Sequence, residues 1–336
     1  MRVTTASVLI CTYNRSARLA QTLQYFVTLP APATFDAEVI VVDNNSTDGT
    51  RQAVAAAAER STIPIRYAHE CRQGKSFALN TGLAMAQGEV LALTDDDVEP
   101  APDWLERIVE AFRTHDIVFA GGRVLPNWGA PPPPWILTKR AQDIWGPLAL
   151  VDYGAEPFFY TADAPPQRRP VGANLSVRRD VMCRLGGWRT DLGKVNNTLI
   201  SGEDHEIYFR MRRAGEYRGV YDPRIVVVHD VVAARLTPRY FRHWFFAAGR
   251  TRAIMLRDFY HWIDFSTVPH IAGVPRFLYR EFITQACRWL TRLRAEPLER
   301  FIEQLSTIRL AGLIWHRWTH SREPRVRSSS RSLSHT

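Results

Sequence analysis

The chain has 336 residues, 46% of them hydrophobic, and a formal net charge of +9, which suits one large domain or two modest ones with a real core. Its four cysteines (Cys11, Cys71, Cys183 and Cys287) show no paired spacing, which argues against a zinc site or a disulfide framework and fits a reducing compartment. No charged-then-apolar leader and no run of about 18 uninterrupted apolar residues is present, so neither a signal peptide nor a transmembrane helix is expected.

The first half alternates between two periods. "ASVLICTY" reads as a strand, and "SARLAQTLQYFVTL" as a helix with Leu19, Leu23 and Phe26 on one face. "AEVIVVDN", "IPIRYAHE", "EVLALT" and "IVFAGGRV" are further strands, and "TDGTRQAVAAAAER", "KSFALNTGLAMAQ" and "PDWLERIVEAFRTH" further helices. Strands alternating with helices make βαβ units and a mostly parallel sheet. Right-handed crossovers then gather the loops after the strands on one rim, where Asp43 and Asp95 can meet. Residues 126–170 break the pattern with "PNWGAPPPPW" and "DAPPQRRP", a long irregular insertion of the functional kind. "VGANLSVRR" returns to strand character, "GEDHEIYFRMRRAG" is a helix ended by Gly215, and "RIVVVHDV" is another strand.

From Thr237 to about Trp318 the pattern is helical, broken near "STVPHIAGVP" and at Pro297. The last stretch, "SREPRVRSSSRSLSHT", has the composition of a disordered tail. Residues 233–336 hold 18 Arg, no Lys and 7 acidic residues, a balance of +11 that leaves −2 for the first 232. They also hold five of the ten tryptophans. The plain account is a solvated basic face; an anionic membrane surface or nucleic acid are the alternatives. The expected division is a catalytic domain over 1–232 (a nucleotide half to about 125, an acceptor half beyond), a basic aromatic helical region over 233–318, and a tail over 319–336.

Asp95, Asp96 and Asp97 close the strand "EVLALT". Three adjacent carboxylates in a partly buried place need solvent, cationic side chains or a metal. Mg²⁺ and Mn²⁺ are oxygen-seeking and commonly take one or two carboxylates together with phosphate oxygens of a substrate. The plainer account is an acidic turn before the helix at Pro102. Lys75 follows Gly74 at a helix start, where a cation and backbone N–H groups can meet phosphate.

The ordered set "VLICTYNR", "VVDNNSTDGT", "RQGKSFALNTG", "LTDDDVEP", "VGANLSVRR", "GEDHEIYFRMRRAG" and "VVVHD" resembles the family 2 glycosyltransferases, the inverting group with the GT-A fold. The likeness runs over about residues 5–230 and leaves the C-terminal third uncovered. It implies an α/β, GT-A-like, mostly parallel sheet flanked by helices, here with a C-terminal helical extension. It implies nucleotide contacts by Thr12, Tyr13, Asp43, Lys75 and Asp95, with Asp43 accepting hydrogen bonds from base or ribose. It implies a Mn²⁺ or Mg²⁺ ion at Asp97, with Asp96 and His229 as further candidates. It makes the Glu203–Asp204 pair the base motif, with Asp204 taking the acceptor hydroxyl's proton. Adjacent carboxylates also raise each other's pKa, which would assist a base.

The expected activity is therefore transfer of a sugar from a nucleotide-sugar donor, UDP-linked, to a glycan or lipid-linked acceptor, in surface polysaccharide or glycoconjugate synthesis. The expected place is the cytoplasm or the cytoplasmic face of a membrane. A sugar-1-phosphate nucleotidyltransferase is the alternative enzyme, but the loop after the first strand, "CTYNRSARL", has no glycine. A pyridine dinucleotide enzyme lacks its G-x-G-x-x-G for the same reason. A basic nucleic-acid-binding protein is the non-enzyme alternative; no recognised motif accompanies the charge, and no nucleic-acid partner is expected.

Overall fold

Runs of Val, Ile and Leu make central strands when both faces of a sheet are covered. In the computed structural model, which describes residues 3–161, 168–195, 198–292 and 295–320, those runs become β1 (Thr5–Thr12), β2 (Asp36–Asp43), β3 (Ile65–His69) and β4 (Val90–Asp95). They lie parallel in the order β3-β2-β1-β4. Between them run α1 (Ser16–Thr28), α2 (Thr50–Ala58) and α3 (Lys75–Met85). Leu19, Leu23 and Phe26 of α1 are fully buried, at the i, i+4, i+7 spacing of a core-facing helix.

Beyond β4 come β5 (Val98–Pro100), α4 (Trp104–Thr114), β6 (Phe119–Trp128), β7 (Phe158–Tyr160), β8 (Leu175–Arg178), α5 (Arg179–Arg184), α6 (Glu203–Arg213) and β9 (Gly219–Val231). The sheet continues β4-β8-β6-β9-β5, with β7 also on β9. β6 and β9 are parallel; β8, β5 and β7 join antiparallel. The fold is thus α/β with a mostly parallel, mixed sheet flanked by helices. Leu9, Ile40, Leu91, Phe119, Val177, Tyr208 and Met211 belong to its main core.

Three places depart from the sequence reading. "VGANLSVRR" is a 3₁₀ turn at 172–174, then β8, then the start of α5. The insertion supplies β7, and Val98–Pro100 is a strand where an acidic turn into a helix was the plainer expectation. Strand registers set the site: Thr12 lies beside Asp43, Cys11 beside Asp95, and Val98 beside His229.

The chain divides into two compact units, one ending at Trp244 and the other beginning at Phe245. α7 (Pro238–Ile254) crosses that division. The second unit continues with α8 (Leu256–Phe259), a small hairpin of β10 (His270–Ile271) and β11 (Val274–Pro275), α9 (Arg276–Thr291) and α10 (Pro297–His320). Its core gathers Ala253, Leu256, Val274, Leu278, Leu313 and Ile314. Residues 319 and 320, expected in the tail, close α10; the rest of that tail lies outside the described residues. Among the described residues no helix is long and apolar enough to cross a membrane.

Within this unit the end of α7 crosses α10 backbone to backbone. A Cβ on Gly249 would stand 1.9 Å from the Arg309 carbonyl oxygen, and one on Gly312 2.1 Å from that of Phe246. Neither oxygen belongs to a side chain that could swing away, so the helices must part. Gly249→Ala is expected to destabilise this unit by about 1–3 kcal/mol, the usual cost of overpacking. Urea unfolding followed by tryptophan fluorescence measures it; an unchanged midpoint would rule out so tight a crossing.

Candidate active site

Asp95 ends β4, Asp96 and Asp97 turn the chain into β5, and the three divide their tasks. Asp95 is half-buried, and its Oδ1 accepts from Lys75 Nζ at 2.7 Å. Asp96 is buried; its Oδ2 accepts from the Thr12 hydroxyl at 2.7 Å and its Oδ1 from Arg15 at 2.9 Å. Asp97 is buried, with Oδ2 accepting from Arg15 at 3.0 Å and Oδ1 lying 3.5 Å from His229 Nε2. Each carboxylate has a cation or a donor, so repulsion within the run is offset locally. Burial raises the Asp95 carboxyl, but Lys75 overrides it and holds the group well below the usual range. Burial wins at Asp96, which is pushed up to about 6 despite Arg15.

Lys75 opens α3 and reaches two ways: to Asp95, and to Glu203 Oε1 at 3.9 Å. Burial lowers its pKa, and the two carboxylates outweigh that and raise it, so it remains a cation. Glu203 and Asp204 begin α6, which is preceded by Gly202 with φ +104°, a left-handed backbone that any Cβ would strain. Asp204 Oδ2 accepts from the Gly172 N–H at 3.2 Å. The pair does not share its pKa shift. Glu203 is raised, by burial and then by Asp204; Asp204 is lowered, since His205, Lys75 and Arg169 outweigh its burial. The expectation that adjacency would raise both is corrected here: the charges of Lys75 and Arg169 keep Asp204 ionised at neutral pH, where His205 is uncharged.

These residues line two adjoining hollows at the strand ends. A cavity of about 170 Å³ is bounded by Thr12, Tyr13, Lys75, Asp95, Asp96, Asp97 and His229 among others. A narrower one takes in Lys75, Asp95, Gly172, Trp188, Glu203 and Asp204. Asp43 is the sequence-predicted residue outside both linings. Its buried carboxylate accepts from the Ser46 N–H and the Tyr67 hydroxyl, each at 2.8 Å, and so braces the "DNNSTDG" turn.

Sequence reading missed Arg15, Gln73, Lys194 and Arg235, which line the larger cavity. Arg15 stood inside the quoted "VLICTYNR", and the unpaired charge of the aspartates was the signal that could have found it. Lys194, in a loop, and Arg235, at the end of a 3₁₀ turn over Ala233–Arg235, lie far along the chain and carried no local signal.

The donor set suits a hard divalent cation. Among the described residues no three His, Cys, Asp or Glu side chains form a ready metal cage. Such cations need few protein ligands when substrate phosphates supply the rest. Asp97 Oδ1 and His229 Nε2 are buried and 3.5 Å apart, with Arg235 also 3.5 Å from that nitrogen, and these two side chains would hold such an ion together with substrate phosphates. The other ring nitrogen of His229, Nδ1, is buried with no hydrogen-bond partner among the described residues.

A loop before Lys75 fixes its position. Asn44 Nδ2 donates to the Arg72 carbonyl at 2.7 Å and its Oδ1 accepts from the Gly74 N–H at 2.8 Å. Glu70 accepts from the Arg72 backbone and guanidinium and from the Thr81 hydroxyl. The Arg72 hydrogen bonds hold Glu70 down at about 2. A depressed folded-state pKa stabilises fully above the unfolded value, near 4.5, and fades as pH falls toward 2. Glu70→Gln is therefore expected to lower the melting temperature at pH 6 and to shrink that deficit between pH 4.5 and 2. Melting curves across this range check it; a deficit independent of pH would contradict it.

A mixed sheet ending in carboxylates and cations around one cleft is the GT-A design, and the chain is a glycosyltransferase. Residues 7–164 match the family described as glycosyl transferase family 2. Similarity runs further in two relatives. A glucosyl-dolichyl phosphate glucuronosyltransferase of Haloferax volcanii is 26% identical over 234 residues, covering 68% of this chain and 70% of that protein. The succinoglycan biosynthesis protein ExoM of Rhizobium meliloti is 28% identical over 253 residues, 75% of each chain. A mannosyltransferase of Pyrobaculum calidifontis, solved with GDP-mannose and Mn²⁺, shares the fold with a TM-score of 0.57 at 20% identity, over 95% of this chain and 88% of that one. These similarities favour sugar transfer over nucleotidyl transfer.

Proposed function

We propose that the protein is a metal-dependent, inverting glycosyltransferase that moves a sugar from a UDP-linked donor to a hydroxyl of a lipid-linked glycan, at the cytoplasmic face of a membrane. The observation that carries this reading is the meeting of Asp95–Asp97, Lys75 and His229 with Glu203 and Asp204 along adjoining hollows. The larger hollow takes the nucleotide diphosphate. Tyr13 offers a ring face to the base, and Asp95 accepts from ribose hydroxyls. Lys75, Lys194 and Arg235 face the diphosphate charge. Asp43 shapes the base pocket through its turn. Asp97 and His229 would hold Mn²⁺ or Mg²⁺, which would supply positive charge beside the departing diphosphate.

Asp204 sits at the narrower hollow, where the acceptor hydroxyl enters. As that oxygen bonds to the anomeric carbon from the face opposite the diphosphate, Asp204 takes its proton. The bond to the diphosphate oxygen breaks and its electron pair leaves with UDP, which inverts the anomeric centre. The low pKa of Asp204 keeps it ionised and ready at neutral pH. The lipid-linked acceptor follows the relatives named for dolichyl phosphate and diacylglycerol substrates. The test is a panel of nucleotide sugars with Mn²⁺, reading the nucleoside diphosphate released as the sugar passes to an acceptor or, slowly, to water. UDP from one UDP-sugar is the expected result. Release from GDP- or dTDP-sugars alone would overturn the base assignment, and no release from any donor would overturn the activity.

A further inference from the structure

The second unit carries an outward face that its own core does not use. Nine large hydrophobic side chains are exposed among the described residues, and six of them belong to this unit: Trp262, Ile271, Ile283, Leu290, Trp315 and Trp318. In a folded domain, exposed apolar groups that cluster mark a contact surface. Several of these do cluster. Trp318 Nε1 donates to the Tyr279 hydroxyl at 2.6 Å, and that hydroxyl donates to the Ile271 carbonyl at 3.1 Å. Tyr279 sits on α9 one turn from both Arg276 and Ile283. Along α9, residues 276, 280, 283, 287 and 290 recur at steps of four and three, and all are exposed. That spacing makes one stripe, with Arg276 and Arg280 at its start and Ile283, Cys287 and Leu290 further on. Ile283 is 60% exposed and Leu290 58%.

We propose that this face docks on an anionic lipid bilayer, with the α9 stripe and the tryptophan end of α10 in the headgroup layer. Two observations choose the occupant. Arg276, Arg280 and Arg288 pair with no acidic side chain among the described residues, while the exposed Glu281 accepts from the Tyr260 hydroxyl. The sequence from 233 onward has a balance of +11. A bilayer interface uses both parts of such a surface: Ile, Leu and Trp enter the acyl boundary, and Arg reaches the phosphates. Nucleic acid would satisfy the arginines but leave Ile283 and Leu290 in water. A second copy packed on the same face about a two-fold axis would set these arginines against its own arginines or against the apolar end of its stripe, which offers no acidic partner. The inference concerns binding alone and stands whether or not the proposed donor is right.

Flotation of the full chain with vesicles tests it, using phosphatidylglycerol against phosphatidylcholine at low and high salt. The protein is expected to float with the anionic vesicles, less so at high salt, and to stay down with phosphatidylcholine. Each arginine near an anionic surface contributes roughly fivefold. Arg276→Gln with Arg280→Gln should therefore weaken binding roughly 25-fold. Ile283→Asp with Leu290→Asp should abolish flotation while the circular dichroism spectrum stays native, since both side chains are exposed. Flotation unchanged in both double variants would place the contact elsewhere and overturn the proposal. So would no flotation of the wild type, or a dimer by light scattering that Ile283→Asp with Leu290→Asp makes monomeric.

Discussion

Asp204→Asn is expected to transfer sugar at least about 10²-fold more slowly than wild type while binding donor with near-native affinity. The amide keeps the size of the carboxylate and can still accept from the Gly172 N–H, so the start of α6 should keep its place. What it loses is the ability to take a proton. His205 has its own pKa lowered to about 4 by burial and then Arg169, so it is neutral at pH 7 and leaves Asp204 as the anion at this end of the cleft. The measurement is turnover at saturating donor beside a donor titration by calorimetry. Unchanged turnover would move the role, and Glu203 would be next. Its carboxyl is raised by burial and by Asp204, and its Oε2 is buried without a hydrogen-bond partner among the described residues. Glu203→Gln separates the two: if Asp204 is the base, this variant should lose activity mainly through the placement of Lys75, seen as weaker donor binding.

Local pattern made the first half legible. Val and Ile runs gave β1, β2 and β4, and the face of Leu19, Leu23 and Phe26 gave α1, because each was long and kept one period. Strand ends then told where the carboxylates would gather. What stayed hidden depends on pairing between distant segments. Val98–Pro100 is too short to have a period; it is a strand because β9 is there to receive it. That same pairing sets Val98 beside His229 and lets the Asp230 N–H donate to the Asp97 carbonyl, which is how Asp97 and His229 come to face one another. The pKa split at Glu203 and Asp204 was likewise unreadable, since it comes from Lys75, Arg169 and His205 meeting in space. Asp43 shows the converse: the motif was visible, but both the turn and the nucleotide can use a buried carboxylate, and the turn bonds are the ones present.

The second large effect concerns Asp97. Asp97→Asn is expected to lose at least about 10²-fold in turnover with its melting temperature nearly unchanged, the scale of a removed electrostatic stabiliser. Excess chelator should abolish wild-type activity, and Mn²⁺ or Mg²⁺ should restore it. Asp96→Asn should behave in the opposite way. Asp96 turns inward, where its side chain takes the Thr12 hydroxyl and Arg15 and its carbonyl takes the Thr22 hydroxyl. An amide there weakens bonds between β1, α1 and β4, so the melting temperature should fall. Asp97 instead presents Oδ1 to His229 while Arg15 holds Oδ2, leaving one oxygen for a cation. The sequence left open which of the two adjacent aspartates ligates; this geometry favours Asp97. The paired variants decide it by the split between turnover and melting temperature, with His229→Gln expected to raise the Mn²⁺ concentration needed for half activity. Full wild-type turnover in excess chelator would remove the ion from the reaction. Asp96→Asn losing activity with an unchanged melting temperature would move the ligand by one residue.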